Sequence, residues 1–216
     1  MNKKSFLFLA LIVSFTFFKT AFGMHHSIFD NNELWHLSLS MGHTKFHDVY
    51  DKDGNSIAGR IAFGLKPIRL GPIKAGLETG VQNGNRMMLD LPQSTLDRMG
   101  KTDIKSTVKL MIDLLAIVDI SLSHLFSTFV KGGIVYRSWH FDRTTVPSIS
   151  RLNGELQAGL SAKISRSAKI VAYYQGIFSG NTGFKFNETE EVDYNTATVN
   201  NIPSQHGAFL GVEIGL

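Results

Sequence analysis

The chain has 216 residues, enough for one domain with a full core or for one barrel. It contains no cysteine, which excludes a disulfide framework and a thiolate metal site. The formal net charge is +4, but Lys3, Lys4 and Lys19 all lie in an N-terminal segment without acids, so removing that segment takes 22 bases to 19 against 18 acids. The remaining +1 gives no electrostatic reason to expect nucleic acid as a partner.

That first segment, 1–23, reads as a secretory signal. Lys3 and Lys4 form its charged start, Phe6 to Phe18 an apolar stretch of 13 residues, and Ala21-Phe22-Gly23 the small residues at the cleavage spacing. Thirteen residues are too few to span about 30 Å of hydrocarbon as a helix. No later apolar run approaches that length, so a membrane crossing by residues 24–216 would have to use strands.

Period-two alternation then recurs along the chain, the mark of strands with two unlike faces. "LWHLSLSMGH" sets Trp35, Leu37, Leu39 and Met41 against His36, Ser38, Ser40 and Gly42. "SIAGRIAFGL" sets Ile57, Ile61, Phe63 and Leu65 against Ala58, Arg60, Ala62 and Gly64. "IKAGLETGVQ" sets Ile73, Ala75, Leu77, Thr79 and Val81 against Lys74, Gly76, Glu78, Gly80 and Gln82. From Ile104 to about Ser121 runs a longer stretch in which Lys109 and Asp113 share a face; its pattern loses phase near Leu114-Leu115, where a bulge is expected. Leu125 to Arg137 carries Lys131, Gly133 and Arg137 on one side. "LNGELQAGLSAKI" opposes Leu152, Leu156 and Leu160 to Asn153, Glu155, Gln157 and Lys163. Lys169 to Phe178 and the closing "GAFLGVEIGL" complete eight strands.

The connections, roughly 45–55, 66–72, 83–103, 122–124, 138–151, 165–168 and 179–203, alternate long and short. The long ones gather Gly, Asn, Asp and Pro, as in "YDKDGNS" and "QNGNRMMLDLP". Pro92 and Gly100 could bracket a short helix in the second long loop. An up-and-down barrel with short periplasmic turns and long outer loops has this layout.

Alternation alone does not say which face is inside. The polar faces carry Arg60, Lys74, Glu78, Lys109, Asp113, Lys131, Glu155, Lys163 and Glu213 near mid-strand, five bases and four acids, with glycines between them. Glycine weakens a strand unless something approaches closely, and near-balanced charge suits an enclosed network. The polar faces are therefore read as lumen and the aliphatic rows as lipid-facing. Trp35, Phe63, Tyr136, Tyr174 and Phe178 at strand ends fit interfacial girdles.

The signal segment, the first strand, "FVKGGIVYRSW", "GELQAGLSAKI", "AYYQGIF" and the terminal strand together resemble the small eight-stranded outer-membrane barrels of bacteria, the OmpA-like and OmpX-like family. The resemblance implies an all-β antiparallel barrel over residues 24–216 in a Gram-negative outer membrane, in contact with outer-membrane lipid and lipopolysaccharide and inserted by the barrel assembly machinery. Where that family usually ends its last strand with an aromatic residue, this chain has Leu216.

Eight strands enclose an interior just wide enough for side chains to fill, so the nine charges are expected to plug it. His25, His26, His36, His43 and His47 crowd one region, and His43 with His47 would share a face in an extended strand, a weak metal candidate. His36-Leu37-Ser38 places a histidine and a serine on one face, and resembles the His-x-Ser pair of the eight-stranded lipid A deacylases; a nucleophilic serine needs such a base. Lumen faces carry Ser and His in any case, so no catalytic constellation is assigned, and nothing in the sequence calls for a cofactor. The expected role is structural, adhesive or surface display, with a lipid-modifying enzyme or a narrow channel as alternatives. Loops 83–103 and 179–203 would then face outward. The latter, with Glu188, Glu190, Glu191, Asp193, Phe184, Phe186 and Tyr194, could meet a host or envelope partner.

Overall fold

Apolar side chains on alternate positions leave each strand with one face that must avoid water, and hydrogen-bonding the two edge strands to each other solves this without leaving an open edge. The computed structural model has this arrangement. It describes residues 34–46, 55–84, 86–88, 105–141, 148–180, 184–187, 196–199 and 201–216. The signal segment, His25, His26, His47, the stretch from Pro92 to Gly100 and the acidic run 188–193 lie outside the described residues.

The strands are β1 Trp35–Phe46, β2 Asn55–Leu70, β3 Ile73–Gln82, β4 Arg86–Met88, β5 Lys105–Val108, β6 Met111–Ser121, β7 Phe126–Phe141, β8 Ile149–Lys163, β9 Ala168–Phe178, β10 Phe184–Asn187, β11 Thr196–Val199 and β12 Gln205–Gly215. Eight of them close a ring in the order β1-β2-β3-β6-β7-β8-β9-β12, every neighbour antiparallel, with β12 returning to β1. Of the remaining four, β4 pairs with β5 and β5 with the end of β7, extending the wall at the long-loop end, while β10 and β11 form a separate two-stranded sheet. β4, β10 and β11 fall where the sequence pattern suggests loop, while β5 lies within the stretch from Ile104 to about Ser121 that it reads as strand.

The short connections close tightly at the opposite end. Between β2 and β3 only Gly71 and Pro72 turn the chain, and Gly71 has φ of 59°, the left-handed region that glycine enters without strain. Residues 66–70 are thus strand rather than connection. Pro67, which has no N–H for a ladder, interrupts the pattern there. It sits at a register shift between Leu65 and Ile68 opposite Leu77 and Ala75. This bulge keeps Lys66 in the lumen, and it needs Gly76, because a Cβ there would lie 1.8 Å from the Leu65 carbonyl oxygen.

A second correction concerns the expected bulge at Leu114-Leu115. Alternation runs through β6 in phase, with Met111, Leu115 and Ile117 buried beside Asp113 and Asp119 on the inward face; apolar residues facing the lumen imitate a phase break. The interruption is at Lys109-Leu110, between Val108 opposite Trp139 and Ile112 opposite Tyr136. That extra residue turns Lys109 out of the face it was expected to share with Asp113.

Outward positions form a continuous exposed apolar belt: Leu39, Met41, Ile57, Ile61, Val81, Ile112, Leu114, Val118, Val130, Ile134, Leu156, Leu160, Ile170, Leu210, Val212 and Ile214. Water would hydrate such a belt at about 25 cal/mol per Å², whereas acyl chains accept it. Trp35 stacks on Phe63 at the short-turn end, ring centroids 5.3 Å apart, while Tyr174 and Phe178 stand outward on the far half of β9. Among the described residues no helix is long and apolar enough to cross a membrane; the crossing is made by strands.

Candidate functional site in the barrel lumen

Inward positions of the ring mix polar and apolar side chains, and the middle of the lumen holds a compact charge cluster beside a buried apolar one of Ala58, Phe129, Val171, Tyr173 and Phe209. Arg60 on β2 donates from Nε and Nη2 to both oxygens of Asp113 on β6, at 2.9 and 2.6 Å, a bidentate fork. Its Nη1 lies 2.9 Å from Glu78 Oε1. Lys131 on β7 donates to both Glu78 oxygens at 2.8 Å. His36 on β1 donates through Nε2 to Glu78 Oε2 at 2.9 Å. Two cations and two carboxylates, each almost fully buried, thus cancel across the full width of the barrel.

Space for this cluster comes from glycine. A Cβ at Gly80 would lie 2.5 Å from the Arg60 guanidinium, and one at Gly64 would lie 2.4 Å from the His36 ring. Beside it Tyr173 stacks on Phe209, centroids 5.1 Å apart, and Lys131 Nζ stands 5.2 Å from the Phe129 ring centroid. The Tyr173 hydroxyl and Ser40 share a hydrogen bond of 2.7 Å.

Toward the short turns lies a second group. Lys66 donates to Glu213 at 2.8 Å and to Asp119 at 3.3 Å. Lys169 stands 3.6 Å from the same two carboxylates. Lys74, half-buried, lines the mouth beside them with His36 and Ser167.

Toward the long loops the chemistry changes. Glu155 receives Gln157 and Gln175 amide N–H groups on one oxygen, each at 2.6 Å, and its other oxygen has no partner among the described residues. Arg137 is fully buried, and its described hydrogen bonds all go to neutral oxygens, of Asn153 at 3.0 Å, Pro203 at 2.8 Å and Ser179 at 3.3 Å. Ile202 and Pro203 are buried, with the Ile202 carbonyl accepting from the Ser179 hydroxyl, so segment 201–204 folds over this end of the lumen.

Of the nine expected lumen charges, the structure joins Arg60, Glu78, Asp113 and Lys131 directly and puts Glu213 in the neighbouring group. Glu155 stands apart on amides, and Lys74 is at the mouth. Lys109 and Lys163 are exposed, so neither belongs to an enclosed network. Lys109 was displaced by its bulge, and Lys163 keeps an inward register but sits where β8 runs out into the turn. Sequence reasoning missed Lys66, Asp119 and Lys169. Asp119 follows Asp113 at an even spacing and was readable; Lys66 was hidden by Pro67.

His36 and Ser38 are both buried in the lumen. The His36 ring engages Glu78 through Nε2, and Nδ1 has no described partner, so no hydrogen bond joins it to Ser38. His43 is exposed on the outward face, and no group of three or more metal-ligating acid or histidine side chains occurs among the described residues.

Neither a protein-family model nor a curated protein sequence matches the chain. Solved structures do. The chain is similar to the outer-membrane protein OprG of Pseudomonas aeruginosa with a TM-score of 0.58 at 10% identity, covering 84% of this chain and 96% of that one. Neisserial surface protein A superposes with a TM-score of 0.48 at 13% identity over 87% and 100%. Ail, the attachment invasion locus protein of Yersinia pestis, gives 0.45 at 12% over 84% and 96%. At these identities the likeness is one of fold, and it rests on OprG. The closed ring, its apolar outer belt and that superposition together give this chain the fold of the small eight-stranded transmembrane barrels of bacterial outer membranes.

Proposed function

We propose that the protein is a sealed outer-membrane barrel whose role is structural, or one of display or adhesion, exercised by its loops and outer surface rather than through its lumen. The observation that carries this is the central cluster of Arg60, Asp113, Glu78, Lys131 and His36, whose contacts reach across the barrel from β1 and β2 to β6 and β7. A hydrated ion would have to break this cluster to pass, at a cost of several kcal/mol for each unpaired buried charge. The fold of segment 201–204 over the Arg137 end supports the same reading.

Surface loops then carry the interaction, with 83–103 and 179–203 as the segments offered to a host or envelope partner. A lipid-modifying role at His36 and Ser38 is disfavoured: both are enclosed by the strand ring, away from acyl chains, and the histidine is committed to Glu78.

Planar-bilayer recording on purified protein tests the sealed lumen, and the expected result is no large steady conductance. A stable open level would overturn the reading in favour of a channel. Deleting residues 188–193 within the last loop, followed by binding assays on cells or envelope fractions, tests the display role: binding by the wild type that the deletion removes supports it. Binding unchanged by deletions in both long loops overturns it.

A further inference from the structure

Side chains that point out of the ring divide sharply by chemistry. From Trp35 through Leu37 and Leu39 to Met41, and on the neighbouring strand from Leu216 through Ile214, Val212 and Leu210 to Ala208, every outward position is apolar. Eight residues at about 3.3 Å each, on a strand tilted by about 40°, cover roughly 20 Å along the membrane normal, close to the height of an apolar belt. Immediately beyond it, toward the long loops, β1 and β12 present His43, Lys45 and His206. Lys45 is directly opposite His206 in the ladder, and His43 opposite Ala208. His43 and Lys45 are exposed. On the next strand the Tyr174 hydroxyl shares a hydrogen bond with His206 Nδ1, the rings 5.9 Å apart between centroids.

This placement is selective. Among the outward positions of the eight ring strands that the structure describes, the only lysine is Lys45, the only histidines are His43, His140 and His206, and no acid occurs. Every carboxylate described on these strands is turned into the lumen. At the short-turn end the bases Lys74, Lys163 and Lys169 hold the inward register or its continuation, and Arg166 is in a turn. Among the described outward strand positions, only the long-loop rim therefore directs a lysine sideways, at the height where headgroups begin. A cation and imidazole N–H donors, backed by a phenol and with no acid among the described outward positions of the ring strands, match a phosphate.

From this juxtaposition we infer that His43, Lys45 and His206, with Tyr174 behind them, form a lateral site for the phosphate of an anionic glycolipid in the outer leaflet. The inference rests on the barrel reading above and gives the expected lipid contact a specific headgroup site at a defined edge, the β12–β1 seam. No bond is made or broken; the site holds one headgroup against the wall while its acyl chains lie along Met41, Leu210 and Leu39.

Titration of the full-length protein in detergent micelles with fluorescent bisphosphorylated lipid A, and with the dephosphorylated form, tests it. The wild type should prefer the phosphorylated lipid by roughly tenfold, Lys45→Gln should lose about fivefold of that, and the triple variant His43→Gln, Lys45→Gln, His206→Gln should show no preference. A short-turn variant, Lys163→Gln with Arg166→Gln, should behave as wild type. Equal binding of both lipids by the wild type, preference persisting in the triple variant, or equal loss in the short-turn variant would each overturn the site. Heat-modifiable gel mobility, run on each sample, separates this from failure of the barrel: its absence in the wild type would sink the barrel reading, and this inference with it.

Discussion

The two halves of the lumen are built on different chemistry. From the centre to the short turns, inward charges meet opposite charges at hydrogen-bonding distance: Arg60 with Asp113, Lys131 with Glu78, Lys66 with Glu213. Toward the long loops, Glu155 and Arg137 are just as buried but rely on amides, hydroxyls and a carbonyl. Several buried acceptors there, on Gln157, Gln175 and Gln205, have no described partner. The first half is a matched electrostatic plug whose members depend on one another. The second is a mixed packing layer under segment 201–204, where these polar groups sit among buried Val135, Trp139, Ile177 and Ile202 and individual charges matter less. Burial alone would have ranked the two halves as equals.

Paired substitutions put the largest strain on that contrast. Glu78→Gln leaves Lys131 and part of Arg60 without a counter-charge and should cost about 3–5 kcal/mol. Glu155→Gln removes a charge that has no ionic partner at hydrogen-bonding distance among the described residues and should cost less than about 1 kcal/mol. Urea unfolding in lipid vesicles, followed by gel mobility, reads both; equal losses would erase the distinction. A smaller effect is expected at the bulge. Gly76→Ala pushes a methyl group into the Leu65 carbonyl and should cost about 1–3 kcal/mol by overpacking. A loss below about 0.5 kcal/mol would mean that β2 can relax there. Smallest of all is the outward Gly154, where an added Cβ meets nothing within 4 Å. Gly154→Ala should raise stability by roughly 0.5 kcal/mol, and a loss of that size would show an external contact.

The ring of eight strands and the direction of its faces were legible because alternation, balanced inward charge and inward glycine all carry the same message. Arg60, Glu78, Asp113 and Lys131 were readable for that reason: each stands at mid-strand on the inward register. Positions near strand ends were not. Lys163 keeps its parity but leaves the enclosed volume with the turn, and Lys109 is moved by one inserted residue that no local pattern announced. Pro67 had the opposite effect, making five residues of strand look like loop and hiding Lys66. Parity reports the side of a wall; it is silent on height and on insertions, and a site depends on all three.

The junction of β12 with β1 has a consequence for how the molecule comes into being. Because the first and last staves are partners, the cylinder cannot shut until Gln205–Gly215 has been made and delivered, however well the earlier hairpins have formed. A chain shortened before Gln205 would present β1 and β9 as two bare margins to hydrocarbon, each amide and carbonyl there costing several kcal/mol. Such a product would stay outside the bilayer as prey for proteases, so truncation should register as disappearance of the protein rather than as partial function.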